Sequence, residues 1–118
     1  MKKDLRSLGK LATEFRDERN WAQYHNPKDL AISVSLEAAE LLEMFQWKSS
    51  PSVESLLQDA EFRSKVSHEL ADILIYLLLL SERLNIDLYE ACVEKIAINR
   101  EKYPVEKAYG KSTKYDEL

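Results

Sequence analysis

Glu69-Leu70-Ala71-Asp72-Ile73-Leu74-Ile75-Tyr76-Leu77-Leu78-Leu79-Leu80 decides the fold. Two carboxylates three residues apart open this stretch, and eight uninterrupted apolar residues, 73–80, complete it. A bilayer span takes about 20 apolar residues, so the run reads as a segment of a buried helix, and no membrane is expected as a partner. The helix should cover about residues 60–84 and end near Asn85. Eight apolar residues in a row cover every side of two turns rather than one stripe. In a bundle of four short helices one side of such a segment would stay wet, so a homo-oligomer is expected.

The pattern on either side is also helical. Leu8, Leu11, Ala12 and Phe15 return at helical spacing and predict a first helix over about residues 5–19, with Gly9 as a weak point. Asn26 is a good N-cap, and Pro27 is tolerated at the first helical position, so a second helix should run over about 27–47, broken by Lys48-Ser49-Ser50-Pro51-Ser52. A short, partly helical stretch is expected over 53–58. Asp87, with Glu90 three residues on, resembles a capping box and starts a fourth helix that stops before Pro104. Residues 105–118 read as a mostly irregular tail.

The 118 residues suit one domain, with its core over about 5–104, and neither a solenoid repeat nor a sustained heptad pattern is present. Two glycines, three prolines and 45% hydrophobic residues favour long helices over sheets. The expected class is all-α, a four-helix bundle-like domain. A net charge of −4 and a pI near 5.3 give no basic footprint, so polymeric nucleic acid is not an expected partner. One cysteine, Cys92, cannot form an internal disulfide. Residues 1–10 lack the apolar stretch of a secretory signal, so the expected compartment is the cytoplasm.

Glu37-Ala38-Ala39-Glu40 and Glu69-Leu70-Ala71-Asp72 each place two carboxylates at i, i+3 on one helix face. Two such helices packed antiparallel could bring all four groups to one point. The spacing alone is weak evidence, since Glu14 and Asp17, or Glu40 and Glu43, fit it as well. What distinguishes Asp72 is the apolar run that follows it, where an unpaired carboxylate would cost several kcal/mol to desolvate. Glu37 stands among Val34, Leu36, Ala38, Ala39, Leu41 and Leu42, and no lysine or arginine lies between Lys28 and Lys48 to pair with it locally. A shared cation would neutralise both helices; a buried ion pair is the alternative. Carboxylates alone suit Mg²⁺, or Mn²⁺, rather than zinc. The Glu-x-x-His motif of di-iron bundles is missing, because Ala22 and Lys65 precede His25 and His68 by three residues. A carboxylate cage with few other ligands leaves room for phosphate oxygens and an attacking water, which fits phosphoanhydride hydrolysis.

Further segments accompany these pairs in order: Glu14-Phe15, Glu18-Arg19-Asn20-Trp21, His25-Asn26-Pro27-Lys28, Phe45-Gln46-Trp47-Lys48, Asp72-Ile73-Leu74-Ile75-Tyr76, and Asn99-Arg100-Glu101-Lys102-Tyr103-Pro104. Together they make the chain resemble the MazG-like, all-α nucleoside triphosphate pyrophosphohydrolases over about residues 11–104, and among them the dCTP-cleaving members most. The resemblance implies Mg²⁺-dependent cleavage of a nucleoside triphosphate, dCTP or a related pyrimidine, to the monophosphate and pyrophosphate, in nucleotide-pool sanitation. It implies Glu37, Glu40, Glu69 and Asp72 as metal ligands and a homotetramer built as a dimer of dimers.

The resemblance also implies a base pocket at Trp21, Tyr24 and His25, completed by Trp47 and Tyr76, with Lys95 and Asn99 on the phosphate tail and Arg100 as a secondary candidate. Aromatic faces stack on a base for about 1–3 kcal/mol, although plain core packing is the common fate of such tryptophans. Lys95, Asn99 and Tyr103 recur every four residues and share a helix face. His68 reads as exposed. One departure stands out: Ala12 occupies the place of a substrate-contacting histidine in the dCTP-cleaving relatives, which leaves base choice less fixed than the reaction. The competing function is a non-catalytic helical interaction module whose acidic groups only stabilise an oligomer.

Overall fold

Asp4 begins the first helix by accepting a hydrogen bond from the Ser7 N–H at 2.8 Å, and the same device recurs along the chain. The computed structural model of the protein describes residues 2–118. It gives α1 (Leu5–Glu18), α2 (Pro27–Glu43), α3 (Ser50–Leu56), α4 (Ala60–Leu84), α5 (Leu88–Lys102) and α6 (Val105–Ala108), with 3₁₀ turns at Ala22–Tyr24 and Tyr115–Glu117. Every regular element among the described residues is helical. Asn26 caps α2 through the Asp29 N–H, Ser49 caps α3 through Ser52, and Asp59 caps α4 through Glu61 and Phe62. Asp87 caps α5 through the Glu90 N–H at 3.0 Å. Each cap satisfies an N–H that the helix itself cannot.

Two compact units are present, residues 1–85 and 86–118. In the first, α4 is the common wall. Leu30 packs with Leu79, Glu37 and Glu40 meet Glu69, and Phe45 sets its ring edge-on to Phe62 at 5.6 Å. The numbering falls on one helix as it rises on the other, so α2 runs antiparallel to α4. Along α1 both numbers rise together, with Ala12 against Leu79 and Arg16 on Glu82, so α1 runs parallel to α4. The core is narrow: Ala12, Leu30 and Leu79, flanked by Ile75, Tyr76 and Leu80. Within the decisive run only Leu78 and Leu79 are buried, and the other six residues are half-buried. No helix among the described residues is long and apolar enough to cross a membrane.

In the second unit Pro104 ends α5, as its missing N–H requires. Gly110 takes φ +72°, open to a residue without Cβ, as the chain returns to set Tyr115 edge-on to Tyr103 at 6.0 Å. The Lys102 ammonium lies 4.8 Å from the Tyr115 ring.

Three boundaries differ from the sequence expectation. The second helix stops at Glu43 rather than near Trp47, where the Met44 and Phe45 N–H groups turn to the Leu41 and Leu42 carbonyls three residues back and Phe45 engages Phe62. The stretch expected over 53–58 is a helix starting at Ser50, since Ser49 caps it and Pro51 fits its first turn. The tail expected to be irregular contains α6 and a closing 3₁₀ turn.

Candidate metal centre and adjoining cavity

Glu37 and Glu40 project from α2 toward Glu69 on the antiparallel α4, and one carboxylate oxygen from each lies within 4.8 Å of the others. Glu37 and Glu69 are half-buried and Glu40 is exposed. Glu37 Oε2 and Glu69 Oε2 are buried without a hydrogen-bond partner. Two acceptors withdrawn from water and left unpaired are costly, and no basic side chain forms an ion pair with the trio among the described residues. Burial, then the neighbouring carboxylates of Glu40, Glu69 and Asp72, push the Glu37 pKa up to about 7. Three oxygen donors with two orphaned acceptors form a donor set suited to a hard divalent cation.

Asp72 is placed differently from the expectation. It is exposed, so the desolvation cost argued for it from its apolar neighbours falls on Glu37 and Glu69. Position 72 lies one turn beyond Glu69, close enough for its charge to act on Glu37, and it lines the mouth of a cavity. The apolar residues that follow turn inward only after it.

That cavity holds about 370 Å³. Leu8, Leu11, Ala12, Phe15 and Arg16 of α1 form one wall, and Asp72, Ile75, Tyr76 and Leu79 of α4 form the other. Trp21 and His25 complete it. The acidic residue at its mouth and the apolar interior suit a ligand with a charged end and a flat apolar body.

The sequence builds the Trp21 corner locally. Asn20 adopts φ +54° just after α1, the Asn20 N–H donates to the Asp17 carbonyl at 3.0 Å, and the Trp21 N–H donates to the Arg16 carbonyl at 3.1 Å. This is a Schellman motif with asparagine in place of glycine, and its usual apolar contact is present as Trp21 edge-on to Phe15 at 5.8 Å. Arg19 covers the Phe15 ring at 3.7 Å and donates to the Phe15 carbonyl. His25 is tied to α4 through its carbonyl, which accepts from Arg83 at 3.2 Å. Its Nδ1 is buried without a partner, and burial, then the Arg16 charge, hold its pKa below the ordinary value.

Of the expected site residues, Glu37, Glu40 and Glu69 meet, Asp72 adjoins them, and Trp21, His25 and Tyr76 share the cavity with Asp72. Tyr24 is 65% exposed and Trp47 is 88% exposed, and neither belongs to the cavity lining. His68 is exposed, as expected. In the second unit Lys95 and Asn99 are exposed on one face of α5, followed by Arg100. Sequence reasoning passed over Phe15 and Arg16 as wall residues. The available signal was the i, i+4 recurrence of Leu8, Ala12 and Arg16 on one strip of α1.

Residues 32–118 match the model of the MazG-like family. The chain is 38% identical over 114 residues to dCTP pyrophosphatase 1 of Mus musculus, an alignment covering 97% of this chain and 67% of that protein. The corresponding protein of Homo sapiens is 39% identical over 114 residues, with the same coverage. A pyrophosphatase from Archaeoglobus fulgidus DSM 4304, solved by crystallography, superposes with a TM-score of 0.79 at 43% identity, covering 88% of this chain and 95% of that one.

Proposed function

The chain belongs to the MazG-like family, and we propose that this nucleotide pyrophosphohydrolase uses Mg²⁺ to cleave a pyrimidine deoxynucleoside triphosphate, dCTP first, to the monophosphate and pyrophosphate. The observation that carries the reading is the convergence of Glu37, Glu40 and Glu69, two of them with orphaned buried oxygens, next to an apolar cavity with Asp72 at its mouth. The relatives named dCTP pyrophosphatase 1 support the substrate class.

Glu37, Glu40, Glu69 and Asp72 would hold Mg²⁺, with Mn²⁺ as the substitute. Bound there, the cation would supply charge neutralisation for the triphosphate and Lewis-acid activation of water. The chain itself does the positioning. Trp21 offers an aromatic face for the base, and Tyr76 and neutral His25 offer hydrogen-bonding groups to the base or sugar. The apolar walls exclude water from the buried part of the nucleotide. Asp72 marks where the base-filled interior gives way to the charged tail. Tyr24 and Trp47 remain proposed base contacts, and Lys95 and Asn99 proposed phosphate contacts.

We assign the work to cytoplasmic nucleotide-pool sanitation by a homotetramer arranged as a dimer of dimers. Leu36, Leu42 and Leu70, all more than half exposed on α2 and α4, support burial against another copy. The deciding experiment is incubation with deoxynucleoside triphosphates and Mg²⁺. Pyrophosphate and the monophosphate should appear together, and Asp72→Asn should abolish their release while the protein stays folded. Orthophosphate as the first product rejects the chemistry.

A further inference from the structure

α1 turns toward the cavity a charged side chain that the acidic cluster does not use. Arg16 is 7% exposed, the one buried charged residue among those described, and it lines the cavity one turn beyond Ala12. Two carboxylates hold its guanidinium: Nε donates to Asp17 at 2.8 Å and Nη1 donates to Glu82 at 2.8 Å. Both carboxylates are themselves about half exposed, at 59% and 48%, so the cation is fixed from the solvent side of the helix pair.

A guanidinium carries five N–H donors and no acceptor. The two ion pairs use two of them, and the other three have no partner among the described residues. Free N–H groups of a charged side chain at the wall of an apolar cavity are well placed to donate to a ligand that supplies acceptors. His25 lies within range of the Arg16 charge, and its own Nδ1 is orphaned. An orphaned imidazole nitrogen and a guanidinium with N–H groups to spare therefore border an otherwise apolar space. Ala12 adds only a methyl group on the same strip of α1.

We propose that Arg16 reads the base: its unused N–H groups donate to two adjacent acceptors on the edge of the heterocycle, which among the pyrimidines selects cytosine through N3 and O2. Uracil and thymine place an N3–H donor between their carbonyls and oppose a donor-only side chain. The forked guanidinium suits a two-acceptor edge, and Asp17 and Glu82 keep it from rotating away. Arg16 is a specificity residue here, and the assignment rests on the reading of the cavity as the base site.

The test measures kcat/KM for pyrophosphate release from dCTP, dUTP and dTTP, with thermal melts of each protein alongside. Wild type should prefer dCTP. Arg16→Met should lose about 10- to 150-fold on dCTP, the range for a hydrogen bond to a charged group, and far less on dUTP, so that the dCTP-to-dUTP ratio collapses. Arg16→Lys keeps the charge without the fork and should restore rate in part but not the ratio; if Arg16→Met fails to fold, this variant decides. Glu82→Gln leaves an oxygen for Nη1 and should lower the melting temperature while keeping the ratio. Equal losses on all three bases in Arg16→Met, a ratio that survives in Arg16→Lys, or a wild type that prefers dUTP or dTTP overturns the proposal. A wild type that releases no pyrophosphate from any nucleotide defeats the underlying reading instead, and the proposal with it.

Discussion

Glu37 should make the metal-free protein lose stability as pH rises, and Mg²⁺ should restore it. Burial and the carboxylates of Glu40, Glu69 and Asp72 lift its pKa from the ordinary 4.5 to about 7. A group whose folded-state pKa is raised binds more protons in the native than in the unfolded chain between those two values, so unfolding free energy falls with pH across that window. The contribution is fully present below pH 4.5 and lost on passing 7. At about 1.4 kcal/mol for each pH unit, the loss is about 3 kcal/mol. Mg²⁺ at about 100 times its Kd would return about 2.7 kcal/mol, which nearly offsets that loss and displaces the proton. The assay is urea unfolding from pH 4.5 to 8 with EDTA or with Mg²⁺, on wild type and Glu37→Gln. The comparison removes titrations the two proteins share, including those of Asp4 and Asp17, which have the opposite sign because hydrogen bonds lower their pKa. In EDTA the two proteins should converge near pH 4.5, with wild type weaker by about 3 kcal/mol at pH 8. Mg²⁺ should stabilise wild type far more than Glu37→Gln. Parallel pH curves in EDTA, or equal Mg²⁺ stabilisation of both, would refute the reasoning.

Three other outcomes follow from the packing. Leu30 is 1% exposed between Ala12 and Leu79, so Leu30→Ala should cost about 2–5 kcal/mol, read from the urea midpoint. Asn20 holds φ +54°, so Asn20→Ala should cost about 1–2 kcal/mol and weaken nucleotide binding by loosening Trp21, whereas Asn20→Gly should leave stability close to wild type; an unchanged KM in Asn20→Ala would separate the turn from the pocket. Leu36→Glu and Leu70→Glu, at exposed apolar sites, should lower the mass measured by light scattering, and an unchanged mass would remove those faces from the subunit contact.

The acidic half of the candidate site was legible because each pair is a local pattern. Glu37 and Glu40 share a face by helical geometry alone, as do Glu69 and Asp72, and both helices announce themselves through caps at Asn26 and Asp59 and through apolar spacing. Even so, sequence misplaced the burden of burial. Asp72 precedes the apolar run and therefore read as buried, but adjacency in sequence puts consecutive residues about 100° apart around a helix. Residue 72 faces the cavity mouth, and the desolvated oxygens belong to Glu37 and Glu69.

The cavity half of the candidate site was less legible because no single segment contains it. Its wall exists only where α1 lies parallel to α4, and residues 8, 12 and 16 become neighbours of 72, 76 and 79 through that packing. Before the packing is known, Arg16 is one more charge on an amphipathic helix, and Ala12 is only a missing histidine. Once α1 is docked, the two describe one strip: a small residue where a side chain could have filled the space, and a guanidinium one turn further on with donors to spare. Catalytic chemistry can be written into two short motifs because the triphosphate needs charge at one point. Discrimination between bases would need donors and acceptors spread around a ring, so a proposed base site assembled from separate elements comes into view only with the fold.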